Sequence, residues 1–168
     1  ERLSELIGWT RYDTGVVPQE ELEALRIREI LEDRVPQLQA LYPTESAALI
    51  ECAPDLRLLA PRRVFLILME NLLINAFRHG TRGEPVRIVV NEVRLCISNG
   101  GNISEKVLAR LGEPFNTTDS GGQSKGQGLG LAWVFSISRS LGWNFSIRQD
   151  GERVVAEIQF LRDEAISI

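Results

Sequence analysis

The sequence predicts an α+β fold, a two-layer sandwich in which helices cover one face of a mixed, mostly antiparallel sheet. Three observations predict it. Residues from Pro61 to Gly80 carry a strong helical period. β-Branched runs occur in pairs around turn residues, at Asn91-Glu92 and Asp150-Gly151. The strands are bunched in hairpins and do not alternate strictly with helices, which disfavours a doubly wound parallel sheet.

The chain has 168 residues, enough for one well-cored domain and short for two. With 43% hydrophobic and 25% charged residues it reads as an ordinary globular protein. A net charge of -4 argues against a nucleic-acid partner held by phosphate contacts, so any anion site must be local. Lys106 and Lys125 are the only lysines; the other basic residues are arginines. The longest apolar run, Val64 to Met69, is far too short to cross a bilayer. The sequence opens on Glu1 in what reads as mid-helix, as expected of a piece of a longer protein, and any membrane contact is expected only through a region preceding it. Cys52 and Cys96 lack metal-ligand spacing and read as buried thiols of a reducing cytoplasm, and His79, the sole histidine, makes a zinc site improbable.

Residues 1 to 13 place Leu3, Leu6 and Ile7 on one helical face, a fragment too short to be stable alone. Glu23 to Ile27 is expected as a strand and Arg28 to Leu41 as a helix, in which Pro36 requires a first-turn position, a kink or a break. Ala47 to Cys52 and Leu56 to Leu59 read as two strands joined tightly at Ala53-Pro54-Asp55. In the central helix Phe65, Leu68, Met69, Leu72, Leu73 and Ala76 recur at three- and four-residue steps, a buried stripe at about 3.6 residues per turn. Val86 to Val90 and Val93 to Ile97 form a hairpin, whose second strand is expected to end in a loop at Ser98-Asn99-Gly100-Gly101-Asn102. Ser104 to Gly112 reads as a short helix, Asn116 to Gln127 as a polar segment with little to bury, and Gly128 to Leu141 as a helix. Two strands close the chain, Phe145 to Arg148 and Val154 to Phe160. The total is about five to seven strands and three or four helices.

The central helix also carries Asn71, Asn75, Arg78 and His79 on a second face. Asparagine is a poor helix former, so two on one face cost helix propensity. Amide oxygens can ligate a hard cation such as Mg²⁺, and arginine suits phosphate. Taken alone, this face is either the solvated side of an amphipathic helix or a site, and the helix does not decide. Likewise GQGLGL, Gly126 to Leu131, opens a helix after a polar segment, where free N–H groups favour phosphate, yet a lone glycine pattern is weak.

Four segments in order carry more. NLLINAFRHG (Asn71 to Gly80), SNGGN (Ser98 to Asn102), EPFNTT (Glu113 to Thr118) and GQGLGLAWVFSIS (Gly126 to Ser138) resemble the N, G1, F and G2 boxes of the catalytic, ATP-binding domain of sensor histidine kinases. That ATPase superfamily also includes type II topoisomerases. The resemblance covers roughly residues 20 to 162. It implies that residues 1–14 end a dimerisation helical hairpin, that 15–162 form the catalytic domain and that 163–168 are a tail. It further implies that Asn75 ligates the Mg²⁺ bridging the ATP phosphates beside Asn71, and that Arg78 and His79 meet phosphate or ribose. Gly126, Gly128 and Gly130 would wrap the triphosphate with Leu129 and Leu131 between and after them, while Lys125 reaches the terminal phosphate. Ile103 to Lys125, with Phe115, Thr117 and Thr118, would be the lid.

Two departures stand out. Ser98 occupies the start of the G1 box, ahead of Asn99 and Gly100, where the family usually has an Asp that accepts from the adenine amino group, and Asn102 replaces the second glycine. A hydroxyl acceptor lacks the charge assistance, which predicts adenine affinity weaker by about tenfold or more; the alternative is that Ser98 or Asn99 compensates and ATP still binds well. Related hydrolases and serine kinases place Glu where this chain has Asn71, so Asn71 favours transfer to histidine. The resemblance therefore implies a catalytic domain that transfers the ATP γ-phosphoryl to a histidine on a dimerisation domain outside this sequence, in a homodimer serving a response regulator. This chain alone is not expected to autophosphorylate. The alternative is a degenerate domain that docks a signalling partner.

Overall fold

Residues 22–42, 47–109 and 127–160 are described by the computed structural model. Along them run β1 (Glu23–Arg26), α1 (Ile27–Leu41), β2 (Ala48–Cys52), β3 (Arg57–Ala60), α2 (Arg62–His79), β4 (Val86–Val90), β5 (Arg94–Gly100), α3 (Glu105–Ala109), α4 (Gln127–Ser140), β6 (Asn144–Asp150) and β7 (Arg153–Gln159). Five strands form one sheet in the order β2-β4-β5-β7-β6, and β1 pairs with β3 in a separate two-stranded sheet. Only β2 and β4 run parallel; the other pairs are antiparallel.

The two periodicities meet in one core. On α2 Val64, Phe65, Leu68, Met69, Leu72, Leu73, Ala76 and Phe77 are buried, a stripe broad enough to face the sheet and both neighbouring helices. Alternate strand positions answer it: Val86, Ile88 and Val90 on β4, Leu95 and Ile97 on β5, Ala156 and Ile158 on β7. Arg87, Ser98 and Glu157 occupy the intervening positions and therefore the opposite sheet face. Helices thus cover one face of a mixed, mostly antiparallel sheet, as the sequence predicts.

Local chemistry explains the turns. Asn91 Oδ1 accepts from the N–H groups of Val93 and Arg94 at 2.8 and 2.9 Å, so Asn91 closes the β4–β5 hairpin from the side and Glu92-Val93 form its tip. Pro36 lies inside α1 at an exposed position, where the helix goes without its N–H bond to the carbonyl one turn back. At the end of α4 the Trp143 N–H reaches Ser138 O at 2.8 Å and the Gly142 N–H reaches Arg139 O at 3.1 Å, a Schellman closure that sends the chain into β6.

Three expectations are corrected. Ile27 belongs to α1, not to the preceding strand. Strands β2 and β3 are not a hairpin: β3 pairs with β1, while β2 lies parallel to β4. Ser98, Asn99 and Gly100 do not form a loop but extend β5, opposite Val155, Val154 and Arg153. β7 pairs with all three, and β4 also with Ser98, which outweighs the low strand propensity of Asn and Gly. The 1–14 fragment, the 163–168 tail and lid residues 110–125 lie outside the described residues.

Candidate functional site

The polar face of α2 runs beside its buried stripe and ends at β5. Asn71 Nδ2 donates to Ile67 O one turn back at 2.7 Å, which fixes the amide along the helix and leaves its oxygen as the remaining polar group. Asn75 lies one turn further on. Its Nδ2 is buried and has no hydrogen-bond partner. An orphaned buried amide costs about 1–3 kcal/mol, a cost usually offset by a bound group. Glu70 faces elsewhere: its carboxylate is 3.4 Å from Arg34 of α1. Glu70 therefore does not share the face of Asn71.

At the C-terminal turn the polar set divides. Arg78 stacks over the Tyr42 ring at 5.7 Å, on the α1 side. His79 is solvent-accessible at its outer surface, yet partial burial and then the Arg78 charge lower its pKa, so it is neutral at pH 7. Helix and sheet are joined just beyond: the Gly80 N–H reaches Ala76 O and the Thr81 N–H reaches Gly100 O, both at 2.9 Å. A Cβ on Gly80 would sit 2.7 Å from Ala76 O and 3.4 Å from Asn99 Cβ, so glycine lets helix end and strand approach. Gly101 has φ of 128°, open to glycine, with the His79 carbonyl 3.3 Å from its ideal Cβ position.

Strand alternation decides which G1 side chain joins this cluster. Leu95, Ile97 and Asn99 share the helix-facing side of β5, and Asn99 is buried. Its Nδ2 donates to Gly100 O at 2.8 Å, which orients the amide and leaves Oδ1 as an acceptor. Ser98 faces the other way, where its Oγ accepts from Arg153 Nη2 at 3.2 Å. The residue carrying the expected adenine contact is therefore not among those the structure gathers beside α2; Asn99 is. The period-two pattern Leu95-Ile97-Asn99 carries this placement in the sequence, where Asn99 stands among the candidate binding residues.

Gln149 of β6 holds the chain that leaves this corner. Its amide donates to Gly101 O at 2.9 Å and accepts from the Ile103 N–H at 2.9 Å, acting as a surrogate strand partner. Gly128, Leu129, Gly130 and Leu131 form the first turns of α4, which packs beside α2. Phe115, Thr117, Thr118, Lys125 and Gly126 lie outside the described residues.

Comparison with known proteins follows the same lines. Residues 61–162, from the start of α2 past the last strand, match the family described as histidine kinase-, DNA gyrase B- and HSP90-like ATPases. Sensor protein QseC of Escherichia coli K12 is 35% identical over 79 residues, covering 46% of this chain and 17% of QseC. Sporulation kinase A of Bacillus subtilis is 42% identical over 72 residues, covering 40% of this chain and 11% of that kinase. The chain thus spans a small part of the curated relatives it matches. Among solved structures, the Acinetobacter baumannii histidine kinase AdeS has a similar fold, with a TM-score of 0.73 at 18% identity over 94% of this chain and 75% of that one. With its family match covering more than half its length, an orphaned asparagine amide on α2 and a glycine-lined strand end beside it, this chain belongs to the histidine kinase-, DNA gyrase B- and HSP90-like ATPase family.

Proposed function

We propose that the chain is the catalytic domain of a sensor histidine kinase, holding Mg²⁺-ATP so that a histidine on a separate dimerisation domain attacks the γ-phosphorus in line. The observation that carries this reading is Asn75 on the helical face it shares with Asn71: its buried, unpartnered Nδ2 is a donor that a phosphate oxygen would satisfy, while its Oδ1 would be the atom offered to a cation. Two neutral amides suit a hard cation that keeps part of its water shell, so the residues present fit Mg²⁺. Asn75 would hold it with Asn71 beside it, and the ion would offset charge on the phosphates.

The chain's own residues supply binding and orientation. Asn99 accepts from the adenine amino group in place of the usual carboxylate, and neutral His79 lines the nearby end of α2 without repelling a cation. Backbone N–H groups at the start of α4 face the triphosphate, with Lys125 at its terminal phosphate. The phosphoryl acceptor is supplied in trans, and a response regulator is the expected next acceptor. Asn71 adds no base, and Glu70 is engaged by Arg34, which disfavours activation of water, while a neutral imidazole needs less help as a nucleophile.

Hydrolysis tests this division. The native chain is expected to hydrolyse Mg²⁺-ATP no faster than a Asn75→Ala control. Asn71→Glu, which places a carboxylate on the Mg²⁺-ATP face, is expected to raise the rate by roughly one to two orders of magnitude. Steady turnover by the native chain, or no gain in Asn71→Glu, would overturn the assignment.

A further inference from the structure

The face of the sheet turned away from the helices carries one arginine in an unusual position. Arg153 stands opposite Gly100 at the β5–β7 pairing, and its side chain is only 24% exposed. Its Nη2 lies 2.9 Å from Pro85 O, 3.0 Å from Ser98 O and 3.2 Å from Ser98 Oγ. Its Nη1 is 3.9 Å from Glu84, whose carboxylate packs directly over Gly100, where a Cβ would overlap it. One guanidinium thus joins three segments: the end of β5, the connection from α2 into β4, and β7. The connection is also tied to β5 from the other side through the Thr81 N–H and Gly100 O.

These contacts flank Asn99 on both sides. The Asn99 amide is held in one orientation because its Nδ2 donates to Gly100 O, a carbonyl that also accepts from the Thr81 N–H, while the Arg153 guanidinium holds Ser98, the residue before Asn99, and the Arg153 backbone lies opposite Gly100. While that bond holds, Oδ1 is the group left to meet a ligand, and an acceptor selects a 6-amino purine over a 6-oxo purine. If Gly100 shifts, the amide is released, can turn over, and then presents donor or acceptor equally well.

We propose that Arg153 is a positioning residue which, by holding Ser98 beside Asn99, keeps the Asn99 amide in one orientation and so sets the preference of the site for adenine over hypoxanthine. Arg153 does not itself touch the nucleotide. The proposal rests on the nucleotide-binding reading above. Lysine cannot replace it fully, because a single ammonium cannot serve the Pro85 and Ser98 carbonyls and Glu84 in the planar arrangement of a guanidinium.

The test is titration of the native chain and of Arg153→Ala, Arg153→Lys and Ser98→Ala with ADP and with IDP in excess Mg²⁺. The native chain is expected to prefer ADP by at least about tenfold. Arg153→Ala is expected to lose most of that preference chiefly by weaker ADP binding, Arg153→Lys to recover part of it, and Ser98→Ala, which removes one acceptor of the guanidinium, to lose a smaller share. Mg²⁺ dependence, set at Asn75, is expected to persist in all of them. An unchanged ADP-to-IDP ratio in both Arg153→Lys and Ser98→Ala overturns the proposal and leaves the nucleotide site standing. A native chain that binds neither nucleotide overturns the nucleotide reading and this proposal with it.

Discussion

Asn75→Ala is expected to weaken Mg²⁺-ATP binding by roughly 10- to 100-fold while raising the melting temperature of the nucleotide-free chain. The two changes have one origin. Asn75 Nδ2 is buried without a partner in the free protein, a loss of about 1–3 kcal/mol that alanine removes. Alanine is also the better helix former by up to about 0.7 kcal/mol in the interior of α2. Against this, the variant loses interactions with charged groups worth about 1.5–3 kcal/mol, and each 1.4 kcal/mol is about tenfold in affinity. A residue present only for folding would lose stability when truncated. Thermal melts and titrations on the same preparation check both signs, and a variant that melts lower yet binds normally would refute the assignment.

Phe77→Ala is expected to have the opposite character, a loss of about 3–5 kcal/mol of folding stability. Phe77 is 1% exposed and sits two residues beyond Asn75, where the last turns of α2 are packed into the common core. A ring removed there leaves a void that a close-packed interior cannot fully refill. Since domains are stable by only about 5–15 kcal/mol, the variant should unfold at markedly lower denaturant. Urea unfolding reads this as a lower midpoint. Saturating nucleotide should recover part of the loss by mass action, because ligand binds the folded state. A midpoint close to that of the native chain would mean that α2 is not the element on which the core is built.

Much of this architecture is visible in the amino-acid order because it is local. The α2 stripe from Phe65 to Ala76 repeats at the helical period and every member of it is buried. The turn at Asn91 follows from its own side chain, and Pro61 and Gly80 bracket the helix they were expected to bracket. What the sequence hides is what distant segments do to one another. Parallel pairing of β2 with β4 depends on the chain between them returning over the sheet, which no feature of Ala48–Cys52 encodes. Ser98 to Gly100 look like loop residues until β7, more than 50 residues away in the chain, pairs with all three.

The site divides in the same way. Asn71 and Asn75 are readable as a pair because helical spacing brings them together. Box order points to Ser98 for the proposed base contact, while strand geometry puts Asn99 on the α2 side, a one-residue difference that turns the side chain to the opposite face. Arg153 meets Ser98 across 55 residues and Pro85 across 68, contacts with no local signature at all.

The central claim is that α2 and the end of β5 build an Mg²⁺-dependent nucleotide site. Calorimetric titration of the chain with a non-hydrolysable ATP analogue, with Mg²⁺ and with a chelator, tests it most directly. The account predicts saturable binding of one nucleotide per chain with a Kd on the order of micromolar, weakened at least about tenfold by the chelator and by Asn75→Ala. Absence of binding, or binding indifferent to both Mg²⁺ and Asn75, would contradict it.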